Sequence, residues 1–224
     1  MNGRKFILIV FILSFLFSCS TLKINKEYLK KIQYKKYYIS NSVNLIYRIE
    51  TTGNVRDTEV EKQIGRKIHS LLSNSKERNK FTLAPIVNET NKLYQTFVRE
   101  IFKQLNKTDL EESSISEELI NYFFKDVKEE FIVLIKHTGF YRTTGGMMRG
   151  ACKGILIGIL TLGMFYTVPI QAKSHFEYCI IDRKKLKFVM YNKSYTESDP
   201  REDNTLEDHL KELFEDINEL FGKE

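Results

Sequence analysis

The run Glu130-Phe131-Ile132-Val133-Leu134-Ile135-Lys136 most narrows the folds open to this chain, because it is apolar without interruption between two charged ends. A strand with no polar alternation has to be covered on both faces, so it belongs at the centre of a sheet with a layer on each side. Neighbouring segments supply those layers. Val43, Leu45, Tyr47 and Ile49 alternate with Asn44, Ile46 and Arg48 as in a half-buried strand, which Thr51-Thr52-Gly53-Asn54 ends as a turn. Asp57 or Thr58 caps a helix whose Val60, Ile64, Ile68 and Leu71 form one stripe. Phe81 to Ile86 reads as a short strand that Pro85 confines to an edge or an exit.

Two more helices follow. Asn88 to Asn91 offers caps for one carrying Leu93, Phe97 and Ile101, with an apolar face wide enough to lie on a sheet. Ser114-Ile115-Ser116-Glu117 matches a capping box for the next, which extends through Asp126-Val127. Phe176 to Ile181 and Leu186 to Tyr191 form a hairpin around Asp182-Arg183-Lys184-Lys185. After Ser198-Asp199-Pro200-Arg201, Asn204 or Thr205 caps a last helix with Leu206, Leu210, Leu213, Ile217, Leu220 and Phe221 on one stripe. The expected fold is a single α/β sandwich domain. It has a mixed β-sheet of about five strands, packed by amphipathic helices, and a glycine-rich apolar insertion before the C-terminal hairpin.

The amino terminus reads as an export signal. Arg4 and Lys5 precede an apolar run from Phe6 to Phe17 that is too short to span a bilayer, and Ser18 is a small residue at the cleavage point. Leu16-Phe17-Ser18-Cys19 resembles the bacterial lipobox, which implies cleavage between Ser18 and Cys19 and acylation of the Cys19 thiol. Residues 1–18 would be removed, 19–36 would form a polar, Lys-rich lipidated tether, and 37–224 would form the domain with its insertion at 145–172. Loss of Arg4 and Lys5 takes the formal charge of +6 to +4. With acidic and basic residues mixed throughout, that charge does not argue for nucleic acid. Ser20, rather than Asp, follows Cys19, which resembles lipoproteins sorted to the outer membrane facing the periplasm; the inner membrane and the cell surface stay open as alternatives.

The carboxy-terminal half adds a resemblance. Phe131 to Lys136, Phe176 to Asp182, Leu186 to Tyr191, and Asp199-Pro200 through Phe221 are similar to bacterial envelope lipoproteins with the TolB amino-terminal/CsgG/LpoB-like domain. The family often has Thr-Gly in the hairpin turn and Trp after it, where this chain has Lys184-Lys185 and Tyr191. The resemblance implies the fold, and it implies scaffolding, secretion-channel or activator roles without selecting one.

Motifs for chemistry are missing where they would be expected. His137, His175, Cys152 and Cys179 do not fall at metal-ligand spacing, so no metal and no cofactor are implied. Gly145 to Gly154 is glycine-rich but lacks the Lys-Ser/Thr ending of a phosphate loop, and neither Gly-x-Ser-x-Gly nor His-Glu-x-x-His occurs. Pairs such as Glu111-Glu112 sit on solvated margins. The chain is expected not to be an enzyme, and no small-molecule substrate is inferred. Cys152 and Cys179 are candidates for a disulfide in an oxidising compartment, with a buried free thiol at Cys179 as the alternative.

Gly154 to Ala172 (GILIGILTLGMFYTVPIQA) is uncharged between Lys153 and Lys173. Three readings are open: a membrane span with Gly154, Gly158 and Gly163 as its packing face, an insertion buried against its own domain, or a surface that meets a partner or lipid. A span would place the hairpin across the membrane from the central strand and leave strand edges unpaired, and Pro169 breaks a helix. Gly145 to Ala172 is therefore expected to be an interaction element, with Gly154, Gly158, Gly163, Phe165 and Tyr166 as its marks. The expected protein is a lipid-anchored cell-envelope scaffold, assembly factor or activator that meets an envelope protein partner or a second copy of itself. A membrane-integrated component, either an oligomeric channel subunit or a single-span protein, is the alternative.

Overall fold

The computed structural model describes residues 22–29, 35–85, 91–162, 165 and 168–222. The strands are β1 (Lys23–Ile24), β2 (Tyr37–Ile39), β3 (Val43–Ile49), β4 (Asn54–Arg56), β5 (Phe81–Leu83), β6 (Phe131–Arg142), β7 (Ala172–Asp182) and β8 (Lys187–Thr196). The helices are α1 (Thr58–Ser73), α2 (Lys92–Leu105), α3 (Glu117–Phe124), α4 (Thr144–Leu160) and α5 (Asp203–Phe221). All eight strands form one mixed sheet in the order β1-β8-β7-β6-β2-β5, and β3 pairs β6 and β4 beside that path.

β6 is the spine. It runs antiparallel to β7 from Phe131↔Asp182 to Tyr141↔Ala172, and on its other side it runs parallel first to β2 and then to β3. Its apolar run divides between two cores, as a doubly covered strand requires. Phe131, Val133 and Ile135 join α1 and α5 on one face, while Ile132 and Leu134 join α2 and α3 on the other. The α/β class and the central strand are as expected. The six-residue stripe of α5 is buried throughout.

The strand count exceeds five because β1, β2 and β4 have only two or three residues, too few for an alternating pattern to register. β4 turns back on β3 at Gly53, whose φ of 159° is backbone that L-residues rarely adopt. The buried face of β3 is also not the expected one. Beyond Val43, α1 covers the other side, so Ile46 is fully buried while Tyr47 is exposed. Asp57 caps α1 through the Val60 N–H and Asn91 caps α2, as anticipated. In α3 the cap is Ser116 rather than Ser114, and the helix ends at Phe124. α5 starts after Glu202 with no side-chain cap, two or three residues earlier than a cap at Asn204 or Thr205 would place it.

Residues 22–29, read from sequence as tether, are docked on the domain. Lys23 and Ile24 pair with Tyr191 and Met190, and the Asn25 amide donates to the Phe188 carbonyl at 3.0 Å. The buried Tyr28 donates to Asp182 at 2.7 Å. The same Asp182 shapes the hairpin turn by accepting from the N–H groups of Lys184 and Lys185. A Lys-rich stretch conceals this role because its contacts lie far away in sequence.

Candidate functional site

α4 begins where β6 ends, and its first turns are locked to the end of β3. Thr143 donates its backbone N–H to the Ile49 carbonyl at 3.0 Å and caps the helix by accepting from the Gly146 N–H. Glycines let the backbones approach: a Cβ on Gly146 would lie 2.2 Å from the Ile49 carbonyl oxygen, and one on Gly145 would lie 2.2 Å from Thr51 Oγ1. Gly150 makes room for Pro169, whose Cβ would lie 2.7 Å from an added Cβ, and Arg149 donates to the Thr51 carbonyl at 2.6 Å. The glycine-rich run that fails as a phosphate loop is a docking surface for a helix.

From Gly154 onward the helix changes character. At about 100° per residue, Ala151, Gly154 and Gly158 fall within about 60° of arc, and this is the less exposed side, with Gly154 buried. Everything else is apolar and open: Ile155, Leu156, Ile157, Ile159 and Leu160 are exposed, and Leu162 beyond the helix is 92% exposed. Phe165 and Val168 are exposed too. Most of the described residues from Ile155 to Val168 are thus not buried against the domain. Gly163 and Tyr166 lie outside the described residues.

Among the described residues no helix is long and apolar enough to cross a membrane. The connectivity argues the same way, since the Tyr141↔Ala172 pair makes the chain leave and re-enter the sheet at one place. A single span between β6 and β7 would break that ladder.

Cys152 and Cys179 are not brought together, and both thiols are free. Cys179 sits opposite Leu134 in the middle of the ladder, among the α2 and α3 side chains, whereas Cys152 is on exposed α4 beyond the far end of β6. Burial pushes the Cys179 thiol far above its ordinary range, so it is no nucleophile. Ser18 and Cys19 lie outside the described residues.

Two polar networks inside the fold escaped the sequence reading. In the first, Ser174 Oγ lies 2.8 Å from His137 Nε2 and 2.9 Å from His209 Nε2, and Ser194 holds His209 Nδ1 at 2.8 Å. A serine between imidazoles has the makings of a nucleophile and its base. Here Ser174 and His137 are completely buried, so no substrate reaches them. Burial lowers the pKa of His137 to about 3 and that of His209 to about 4, so both are neutral. The network ties β6, β7 and β8 to α5.

The second centres on Glu177, which is 1% exposed. Burial raises its carboxyl, but Lys136 and Asn106 more than offset this and hold it below the usual carboxylate range. Glu177 pairs with Lys136 and accepts from Asn106 at 2.7 Å and from Tyr191 at 2.9 Å, which ties β6, β7 and β8 to the end of α2. Both networks join residues remote in sequence and follow no motif spacing, so only the fold reveals them.

No family model matches this chain, and no curated protein matches it. Among solved structures, the C-terminal domain of LpoB from Salmonella enterica is 9% identical, with a TM-score of 0.32 over 75% of this chain and 87% of that one. The lipoprotein GNA1162 from Neisseria meningitidis is 11% identical, with a TM-score of 0.33 over 81% and 95%. The hypothetical protein CT253 from Chlamydia trachomatis is 10% identical, with a TM-score of 0.34 over 73% and 72%. At this level of similarity, function has to be argued from the chain's own residues.

Proposed function

We propose that this chain is a lipid-anchored, non-catalytic protein of the bacterial cell envelope that acts through protein–protein contacts as a scaffold, assembly factor or activator. Cys19 carries the lipid, cleavage falls between Ser18 and Cys19, and the domain sits in the periplasm, held to the outer membrane. The observation that carries this reading is α4. Its amino-terminal turns are fixed by glycine contacts, and its remaining turns present Ile155, Leu156, Ile159 and Leu160 to the outside. A contiguous apolar surface on a rigid mount serves contact with another molecule. The buried serine–histidine network supports the non-catalytic part, because its reactive atoms are sealed from solvent.

Two measurements test it. Radiolabelled palmitate should enter the wild type and not Cys19→Ala, and a wild type without label would remove the anchor. Affinity capture from solubilised envelopes should lose its partner when Ile159 and Leu160 are both changed to Glu, and unchanged capture would remove α4 as the contact.

A second reading has one observation in its favour: the apolar side chains of α4 cover most of its circumference, so a lipid face would also accept them. Under that reading the Cys19→Ala protein stays membrane-bound through α4. Under the first it becomes extractable by carbonate.

A further inference from the structure

We infer that the cavity between α1 and α2, at the carboxyl ends of β2 and β5, binds a small anionic molecule that carries an aromatic or apolar group. The cavity measures about 560 Å³, within the usual range for small-molecule sites. Its position follows from the topology. β2 and β5 run parallel and stop, and the chain breaks at Ser40-Asn41-Ser42 before β3 takes up the next part of β6. Crevices of this kind, beyond the carboxyl ends of parallel strands, are where open α/β sheets hold ligands.

The lining sets the shape and charge of what fits. Asn44 is 7% exposed and forms part of the inner wall, with its amide oxygen sealed from solvent. Gly65 faces this amide, and a Cβ there would sit 3.1 Å from Asn44 Nδ2, so α1 comes as close as it does because it has no side chain at that position. Tyr38, Tyr94, Phe123 and Phe124 supply the aromatic wall.

Charge in the described lining is one-sided. Glu61 is the only carboxylate of the described lining, and Arg56 neutralises it through two contacts of 2.8 Å. Arg66 and Lys92, also in the lining, make no ion pair among the described residues. Two unpaired cations in the lining favour an anion.

The test uses N-acetyl-L-phenylalanine, which has a carboxylate, an amide N–H and a ring, in calorimetric titration of the full-length protein. Binding with a dissociation constant on the order of 1 mM or tighter is expected. The neutral N-acetyl-L-phenylalanine amide should bind at least about tenfold more weakly. Arg66→Glu, on the exposed side of α1, should weaken the acid about tenfold without moving the thermal midpoint, and Lys92→Glu should weaken the acid while leaving the amide unchanged. The proposal is overturned by an absence of saturable heat, by equal affinity for acid and amide, or by affinity that neither substitution changes.

Discussion

Two apolar runs of similar composition meet opposite fates in this molecule. Phe131 to Ile135 is buried to within 1% at every residue, split between the two cores, whereas Ile155 to Leu160 is exposed at every residue except Gly158. Hydropathy does not separate them. What differs is their place relative to the layers: α1 and α5 close one face of the sheet, α2 and α3 close the other, and α4 lies past the end of β6 with no helix over it among the described residues. Side-chain branching does not separate them either, since Ile155, Ile157 and Ile159 match Ile132, Val133 and Ile135. Glycines spaced along α4 trade helix propensity for close docking. An exposed apolar segment kept on a fixed mount is therefore an arrangement of the fold and not a failure of folding.

The comparison breaks most sharply under truncation. Leu134→Ala should lower the unfolding free energy by about 2–5 kcal/mol, and Leu156→Ala should change it by no more than about 0.5 kcal/mol, both read from urea denaturation. Equal losses would mean that α4 is packed like the core.

Acid should attack the covered region alone. His137 and His209 have folded pKa values of about 3 and about 4 against an ordinary 6.5. The unfolded chain therefore binds protons first, and the stability these groups contribute is complete above about pH 6.5 and drains as pH falls towards 4. His175 is shifted in the same direction by its partial burial. At about 1.4 kcal/mol per unit for each fully buried histidine, moving from pH 7 to pH 5.5 should cost roughly 2–3 kcal/mol. Urea midpoints across that range check it, and a double substitution of His137 and His209 by Gln should flatten the slope between pH 6.5 and pH 5.

The same contrast explains which parts of the fold were legible. β6 and the stripe of α5 each declare themselves through one strong local pattern, and Asp57 and Asn91 are caps of the expected type. β2 and β4 are too short to carry a period, and the covered face of β3 depends on α1 arriving from outside the strand. As for α4, its apolar character and its role as a separate element were legible, but its docking was not. In sequence Gly145, Gly146 and Gly150 are part of a glycine-rich run that fails as a phosphate loop, whereas in the structure they mark places where Thr51, Ile49 and Pro169 leave no space for a Cβ. The cavity left no trace at all, because Asn44, Arg66 and Lys92 belong to three different elements.

Those glycines provide the finer tests. Gly146→Ala drives a methyl group into the Ile49 carbonyl oxygen, and overpacking against backbone costs about 1–3 kcal/mol. Because β6 and β7 remain paired, the loss should fall on the mount: amide exchange should quicken from Thr143 to Leu160 and stay unchanged along Phe131 to Ile135. Ile159→Glu should do the reverse. At 68% exposure it should leave the urea midpoint within the scatter of a surface change, about 0.5 kcal/mol, yet abolish partner capture, because a carboxylate at the centre of an apolar contact is desolvated without a counter-charge. If Gly146→Ala abolishes capture while Ile159→Glu keeps it, the contact lies at the mount and not on the exposed turns.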